Sequence, residues 1–402
     1  MSKGFDIVVG NPPYINTREL SKMDNGELLK SVWLKIPYKS AYKGFDIAVL
    51  FVERTKDLLK EDGIWGNIIT NKFLVTDYGI KIRKFILKHY GIQQIIDVSN
   101  FSVFKNVGIY PIIAIFSMKD EDKMHICASL DTYAEFQDNS IDFESIDKSI
   151  FNKLKNKIFA IHITEENHPV IAKMLKGSVF LKDEDAECGI TGFNYTKIGN
   201  HIIDREPEGD GWKFVVSGNI TPFKITWGTP IHYFSNNWEH PYLPDNRDLT
   251  DGKRRLYNTK NKVLIRGIAK RLSAGVDEEG FALGTSVYGI MHKDYDPYYL
   301  SGIYNSDLVD FFYNSLYKSK HLQGGFVSYN KGQLLTIPLK KYDSSNGIHT
   351  RIRNLAKDLA NERSAEKRSE LNELVYELYG LSSEMKDIVE HSYSNMEEDD
   401  VK

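Results

Sequence analysis

Cysteine is nearly missing from these 402 residues: Cys127 and Cys188 are the only two. That excludes a disulfide scaffold and a cysteine-rich zinc site, and it suits a reducing cytoplasm. Long hydrophobic runs are missing too. No stretch reaches bilayer-spanning length, and the N-terminus has no basic-then-apolar leader. Neither sign of charge dominates: 52 Lys and Arg stand against 55 Asp and Glu, a net charge of −3, so affinity for nucleic acid must come from local patches. The eleven histidines are scattered with no His-Glu-x-x-His pair, so no metal site is expected. Acid-x-Lys fragments at Glu121–Lys123 and Glu384–Lys386 lack the strand context of a nuclease. Internal repeats and low-complexity tracts are absent.

What is present is an ordinary globular composition rich in Tyr and Phe, long enough for two or three domains. The N-terminal part reads as α/β. "FDIVVG" (5–10) is a buried strand, and 46–60 carries apolar residues at helical spacing. A strand follows at about 64–70, then a helix through "DYGIKIRKFILKHYG" stopped by Gly91, then strands at about 92–98 and 109–118. This alternation predicts a mostly parallel sheet with right-handed crossovers, the last pair close enough to include an antiparallel partner. From 181 to 340 short β-like runs alternate with Gly, Asn, Asp and Pro turns. A charged helix pattern covers 348–380, and the acidic end reads as disordered.

"FDIVVGNPPYIN" (5–16) poses the chemical question. The two prolines each lack a ladder N–H, so the strand must end there. In a parallel sheet the carboxyl ends of strands carry the site. An exocyclic base amine is a poor nucleophile because its lone pair is delocalised into the ring. Two acceptors aimed at its N–H bonds favour a pyramidal nitrogen with the lone pair free. The Asn11 side-chain oxygen and the Pro12 carbonyl are candidates, with Pro12 and Pro13 holding that carbonyl in a fixed direction. Tyr14 would stack on a base flipped from its helix, at roughly 1–3 kcal/mol per stacked base. The bland reading is a strand-ending turn with a surface tyrosine.

"GNPPY" after a hydrophobic strand resembles the catalytic motif of DNA adenine-N6 methyltransferases. "FDIAVLFVERTKDLLKEDGIWGNIITNKFLVTDYGIKIRKFIL" resembles the segment that follows it in the gamma class, the TaqI-like enzymes. "IIDVSNFSVFKNVGIYPIIAIF" resembles a later motif whose aromatic, here Phe104, backs the flipped base. "KVLIRGIAKRL", "SVYGIM", "YLSGIYNSDLVDFFY" and "GGFVSYNKGQLLTIPL" resemble their target-recognition domain. The resemblance implies an α/β fold: a partial Rossmann-like methyltransferase sheet, then a mixed α+β target-recognition domain and a C-terminal helix. The expected boundaries are 1–120 (catalytic part), 121–180 (connection), 181–345 (DNA target recognition), 346–381 (helical) and 382–402 (disordered tail). It also implies double-stranded DNA as partner and methylation of adenine N6 from S-adenosyl-L-methionine, within a restriction-modification or phage-defence system.

Two departures qualify this. The family holds its cofactor mainly through a Gly-rich loop and an acidic residue upstream of the tetrad, yet here four residues precede the Phe5 strand. "GNIIT" and "GGFVS" lack the spacing of a nucleotide loop. Weak cofactor binding by the chain alone is therefore expected, with an exposed apolar edge or face. A separate chain supplying the cofactor half is one expectation; a non-catalytic DNA-recognition subunit or truncated relic is the alternative. The family also more often has an aromatic where Ala48 stands. Asp46 is retained and is a candidate cofactor-side residue, its rival role being a helix N-terminal acid. Asn71, at another strand end, reads as a pocket residue or a helix N-cap.

Residues 253–271 (KRRLYNTKNKVLIRGIAKR) hold eight basic residues and no acidic one: Lys253, Arg254, Arg255, Lys260, Lys262, Arg266, Lys270 and Arg271. The expectation is a phosphate-binding stretch, with a solvated charged face as its rival. Arg266, set in an apolar run, is expected to address a specific partner. Gly324 and Gly325 are candidates for backbone phosphate contacts, or an ordinary turn.

Overall fold

The structure, a computed structural model, describes residues 4–36, 38–100, 103, 110–138, 140–190, 195–318 and 325–393. The chain divides into two compact units. One runs to Ala172 and takes in Ser315–Tyr317; the other spans Lys173–Asn314 and continues from Lys318.

The first unit is built on a six-stranded sheet. Its elements in chain order are β1 (Phe5–Gly10), α1 (Thr17–Leu20), α2 (Gly26–Lys35), α3 (Ala48–Thr55), β2 (Leu59–Thr70), α4 (Ile80–His89), β3 (Gly91–Asp97), β4 (Pro111–Ser117), β5 (Lys123–Cys127) and β6 (Glu144–Asp147). The strand order is β1-β2-β4-β3-β5-β6. β1 pairs parallel with β2, and β3 with β5. β4 slots antiparallel between β2 and β3, and β6 is antiparallel to β5. The sheet is thus mixed rather than mostly parallel, because β3 and β4 join as neighbours without a crossover helix.

Apolar spacing explains the covered face. α3 buries Ala48, Val49, Leu50 and Val52, and α4 buries Ile82 and Ile86. Trp65 of β2 stacks on Phe116 of β4 at 4.8 Å, and Tyr90 after α4 donates to the Val52 carbonyl at 3.2 Å. Gly91 does not stop α4 by a left-handed turn. Tyr90 already leaves the helix extended, and Gly91 opens β3 where a Cβ would lie 2.2 Å from the Lys119 carbonyl.

The opposite face is closed only in part. Over β3 and β5 a cluster of Ile96, Val98, Cys127 and Leu130, with Ile113, Ile141 and Phe143, seals it. Over β1 and β2 it is open. Register puts Ile7 beside Ile64, Val9 beside Gly66 and Ile115, and Ile68 beside Ile113, each set on one face. Ile7 is 63% and Val9 78% exposed, and a Cβ on Gly66 would meet nothing within 4 Å. Leaving Ile7 and Val9 in water forgoes roughly 1.5–3 kcal/mol each. Helix α2 likewise exposes Leu28, Leu29, Val32 and Leu34.

In the second unit, strand Lys262–Arg266 lies inside a four-stranded antiparallel sheet, between Ala274–Asp277 and Val287–Ile290, with Ala186–Cys188 beyond. Trp212, Phe214, Tyr257, Leu264 and Phe281 belong to its core. The helical pattern at 348–380 resolves into two helices, Gly347–Asn361 and Ala365–Tyr379, because Ser364 caps the second by accepting from Lys367 N at 3.1 Å. Part of the stretch expected to be disordered is ordered. Ser383–His391 is a helix capped by Ser382, and the Tyr393 hydroxyl donates to Asp310 Oδ2 at 3.2 Å. No helix among the described residues is long and apolar enough to cross a membrane.

Candidate active site and nucleic-acid interface

β1, β2, β3 and β5 all point the same way, so their carboxyl ends share one rim. Asn11, Pro12, Pro13 and Tyr14 leave this rim directly from β1. Pro12 is buried, while Asn11 and Pro13 are exposed. Tyr14 is half-buried and donates its hydroxyl to the Ile68 carbonyl of β2 at 2.9 Å, which fixes its ring relative to the sheet. Burial, aided by Asp46, pushes that phenol up to about 12, so it stays a neutral donor. Gly10 ends the strand against buried Asn67: a Cβ would stand 2.6 Å from its Oδ1, which has no hydrogen-bond partner, so any larger residue would have to displace that side chain.

The chain after the tetrad is held by a second strip. Ile47 N donates to Ile15 O at 3.0 Å and Thr17 N to Phe45 O at 3.0 Å, with a bridge between Asn16 and Asp46. Asp46 itself is buried, and its Oδ1 accepts from Ala48 N at 3.0 Å, the cap-like role that rivalled cofactor contact. Burial raises its carboxyl to about 6. The bond to Ala48 N occupies one carboxylate oxygen and leaves the other as an acceptor.

Asn71 follows the end of β2. It is not the N-cap of the short helix Asn71–Leu74; Thr70 is, accepting from Lys72 N at 3.4 Å. The Asn71 side chain bonds Asp97, the last residue of β3. Asp97 is buried, accepts from Ser99 N at 2.9 Å, and has its pKa raised by that burial. The loop above is fixed by Arg83, only 1% exposed. Its guanidinium donates to the carbonyls of Phe73 at 2.5 Å, Thr76 at 2.8 Å and Asn156 at 3.0 Å, with burial pulling it down to about 10. Asp97 and Arg83 escaped the sequence reading, although an acid closing an apolar strand in "IIDVSN" is a legible signal. Phe104 and Gly324 lie outside the described residues; Gly325 is left-handed at φ +76°.

The basic stretch is largely spoken for. Lys253 donates to Cys188 O at 2.8 Å, Arg254 pairs with Asp245, and Arg255 pairs with Glu187. Arg271 meets Asp307 at 2.5 Å and Asp310 at 3.4 Å; burial opposes its charge, but the two carboxylates outweigh burial and raise its pKa. Lys262 corrects the expectation of a phosphate contact most plainly. It is fully buried, 2.5 Å from Asp277, and donates to Thr259 O at 2.6 Å. Burial lowers its pKa while Asp277 works the other way. Lys260 is exposed, and Arg266 and Lys270 are half-buried. Among the described residues no group of three His, Cys, Asp or Glu is arranged to hold a metal ion.

Comparison with known proteins follows the same division. Residues 1–104 match the Eco57I restriction-modification methylase model, and residues 214–339 match the TaqI-like C-terminal specificity domain. The type II restriction enzyme and methyltransferase RM.Eco57I of Escherichia coli is 37% identical over 118 residues, covering 29% of this chain and 12% of that protein. The type II methyltransferase M.BstVI of Geobacillus stearothermophilus is 37% identical over 120 residues, 30% of this chain and 20% of that protein. The matches thus span an eighth to a fifth of those relatives. Among solved structures, the type IIL restriction-modification enzyme MmeI, determined in complex with DNA, superposes with a TM-score of 0.54 at 12% identity, over 95% of this chain and 56% of that one. The chain therefore carries an Eco57I-type restriction-modification methylase segment followed by a TaqI-like C-terminal specificity domain.

Proposed function

We propose that this chain is the base-handling and target-recognising part of a site-specific DNA adenine-N6 methyltransferase. The observation that carries this reading is the tetrad itself, leaving the carboxyl end of β1 with an exposed amide, a buried proline and a tyrosine tethered to the neighbouring strand. The Asn11 side-chain oxygen and the Pro12 carbonyl accept the two N–H bonds of a flipped adenine, freeing the N6 lone pair. Tyr14, held by Ile68, offers its ring to the base. Phe104 is the proposed second aromatic. S-adenosyl-L-methionine supplies the methyl group when bound. Asp46 is the proposed cofactor-side residue, and further α/β structure, on a separate chain or the same polypeptide, is proposed to complete the open edge and face of β1.

The second reading, a non-catalytic DNA-recognition subunit, is favoured by that same open edge. Tritium transfer from S-adenosyl-L-methionine to random-sequence duplex DNA, with nucleoside chromatography, separates the two. The expected product is N6-methyladenine, and Asn11→Ala should cut transfer by at least about a hundredfold with DNA affinity unchanged. Tyr14→Phe should keep most activity, and Tyr14→Ala should not. A methylcytosine product, or full activity in Asn11→Ala, would overturn the enzyme reading. Sequence-specific binding without transfer under any complementation would leave the recognition subunit.

A further inference from the structure

Arg266 differs from its basic neighbours. It closes the strand Lys262–Arg266, half-buried, with its backbone N–H given to Ser273 O at 3.0 Å. Its Nε donates to the Ile268 carbonyl at 2.7 Å. That single bond tethers the guanidinium and leaves the four N–H of its two terminal nitrogens as a fork. Five residues of the same stretch are satisfied by carboxylates or a carbonyl, yet among the described residues no carboxylate pairs with Arg266. A half-buried guanidinium without a counter-charge is unfavourable unless a partner completes it.

We infer that Arg266 reads a guanine edge in the target sequence, its fork directed at O6 and N7. This rests on the DNA-binding reading of the specificity unit. A phosphate is the other acceptor that a fork held by its Nε tether could take, and the apolar neighbour favours the base. Ile268, two residues on and 40% exposed, puts an apolar side chain beside it, suited to base edges and thymine methyls but not to a phosphate chain.

The test is selection of the full chain against a duplex pool with a randomised central segment, followed by sequencing, for wild type, Arg266→Ala, Arg266→Lys and Lys260→Ala. Thermal unfolding of each variant confirms that it folds. Wild type should enrich a motif containing at least one guanine. Arg266→Ala and Arg266→Lys should lose preference at that one position while keeping the rest, and affinity for the selected duplex should fall roughly ten- to hundredfold with binding to scrambled duplex unchanged. Lys260→Ala should keep the whole motif and weaken both duplexes alike. An unchanged motif in Arg266→Ala, or equal weakening on selected and scrambled duplexes, overturns the assignment while leaving DNA binding intact. No enrichment by wild type overturns the DNA reading itself.

Discussion

At the scale of single residues, burial decides which charges are free to act. Lys262 looks in the sequence like one cation of eight, but its ammonium and the Asp277 carboxylate are both fully buried. Asp277 also accepts from the backbone N–H of Glu279, Gly280 and Phe281, so it anchors a turn as well as the lysine. Lys262→Ala would strand that carboxylate in the core and should destabilise the protein by about 3–5 kcal/mol, read from urea unfolding. The salt dependence of DNA binding should not move; a shallower slope would mean that Lys262 reaches a phosphate after all. Asp46 gives a pH-dependent counterpart. Its carboxyl rises from an ordinary 3.8 to about 6 because burial disfavours the charge. The folded state therefore holds the proton more tightly than the unfolded one. Between about pH 4 and 6 stability falls as pH rises, by up to about 3 kcal/mol from this group, and is level above. Asp46→Asn keeps an acceptor for Ala48 N and should flatten that fall, making the variant more stable than wild type at pH 8 and equal to it below pH 4. Equal stability across the whole range would show that Asp46 ionises without penalty.

At the scale of elements, much of the first unit could be read from residue order. The tetrad marks the end of β1 because proline cannot pair, and α3, α4, β3 and β4 lie within a few residues of their apolar patterns. What could not be read depends on partners distant in sequence. β2 begins at Leu59, earlier than its apolar run, because its first residue pairs with Phe5. The mixed sheet follows from β4 entering between β2 and β3, a choice of neighbour that periodicity does not encode. The roles of Asp97 and Asn71 arise only when two strand ends meet. The split at Ser364 is a local cap hidden inside a continuous helical pattern. The reading of "FDIVVG" as a buried strand fails, since Phe5, Ile7 and Val9 are 62, 63 and 78% exposed, and these residues form the apolar edge that the resemblance implies. Edges of this kind template association. The double variant Ile7→Glu, Val9→Lys removes no buried contact, so it should leave the far-UV circular dichroism unchanged and lower self-association in sedimentation. Loss of helix and strand signal, or undiminished association, would mean that this edge is not an open docking surface.

At the scale of the whole molecule, net charge says little, and the useful quantity is how many cations remain for DNA. If all eight basic residues of 253–271 met phosphates, the slope of log K against log salt from this stretch would approach about −7. The structure commits Lys253, Arg254, Arg255, Lys262 and Arg271 to partners within the specificity unit. Each of those would have to exchange an intramolecular pair for a phosphate, with little net gain. Of the remaining three, Lys260 is exposed and suited to a phosphate, Arg266 is proposed to face a base, and Lys270 is half-buried with contacts of its own. The stretch should therefore contribute a slope nearer −1 to −2. Removing Lys260 should make the measured slope shallower by about one unit and weaken all duplexes alike. Removing the charge of Arg254 or Arg255 should instead cost stability of the unit, by freeing Asp245 or Glu187, with little change in slope. Affinity measured across a salt series for wild type and these variants, on selected and scrambled duplexes, decides the matter. A steep loss of slope on changing Arg254 and Arg255 would show that their ion pairs open on DNA and that the basic run binds as a block, making the intramolecular pairs a resting state of the free protein.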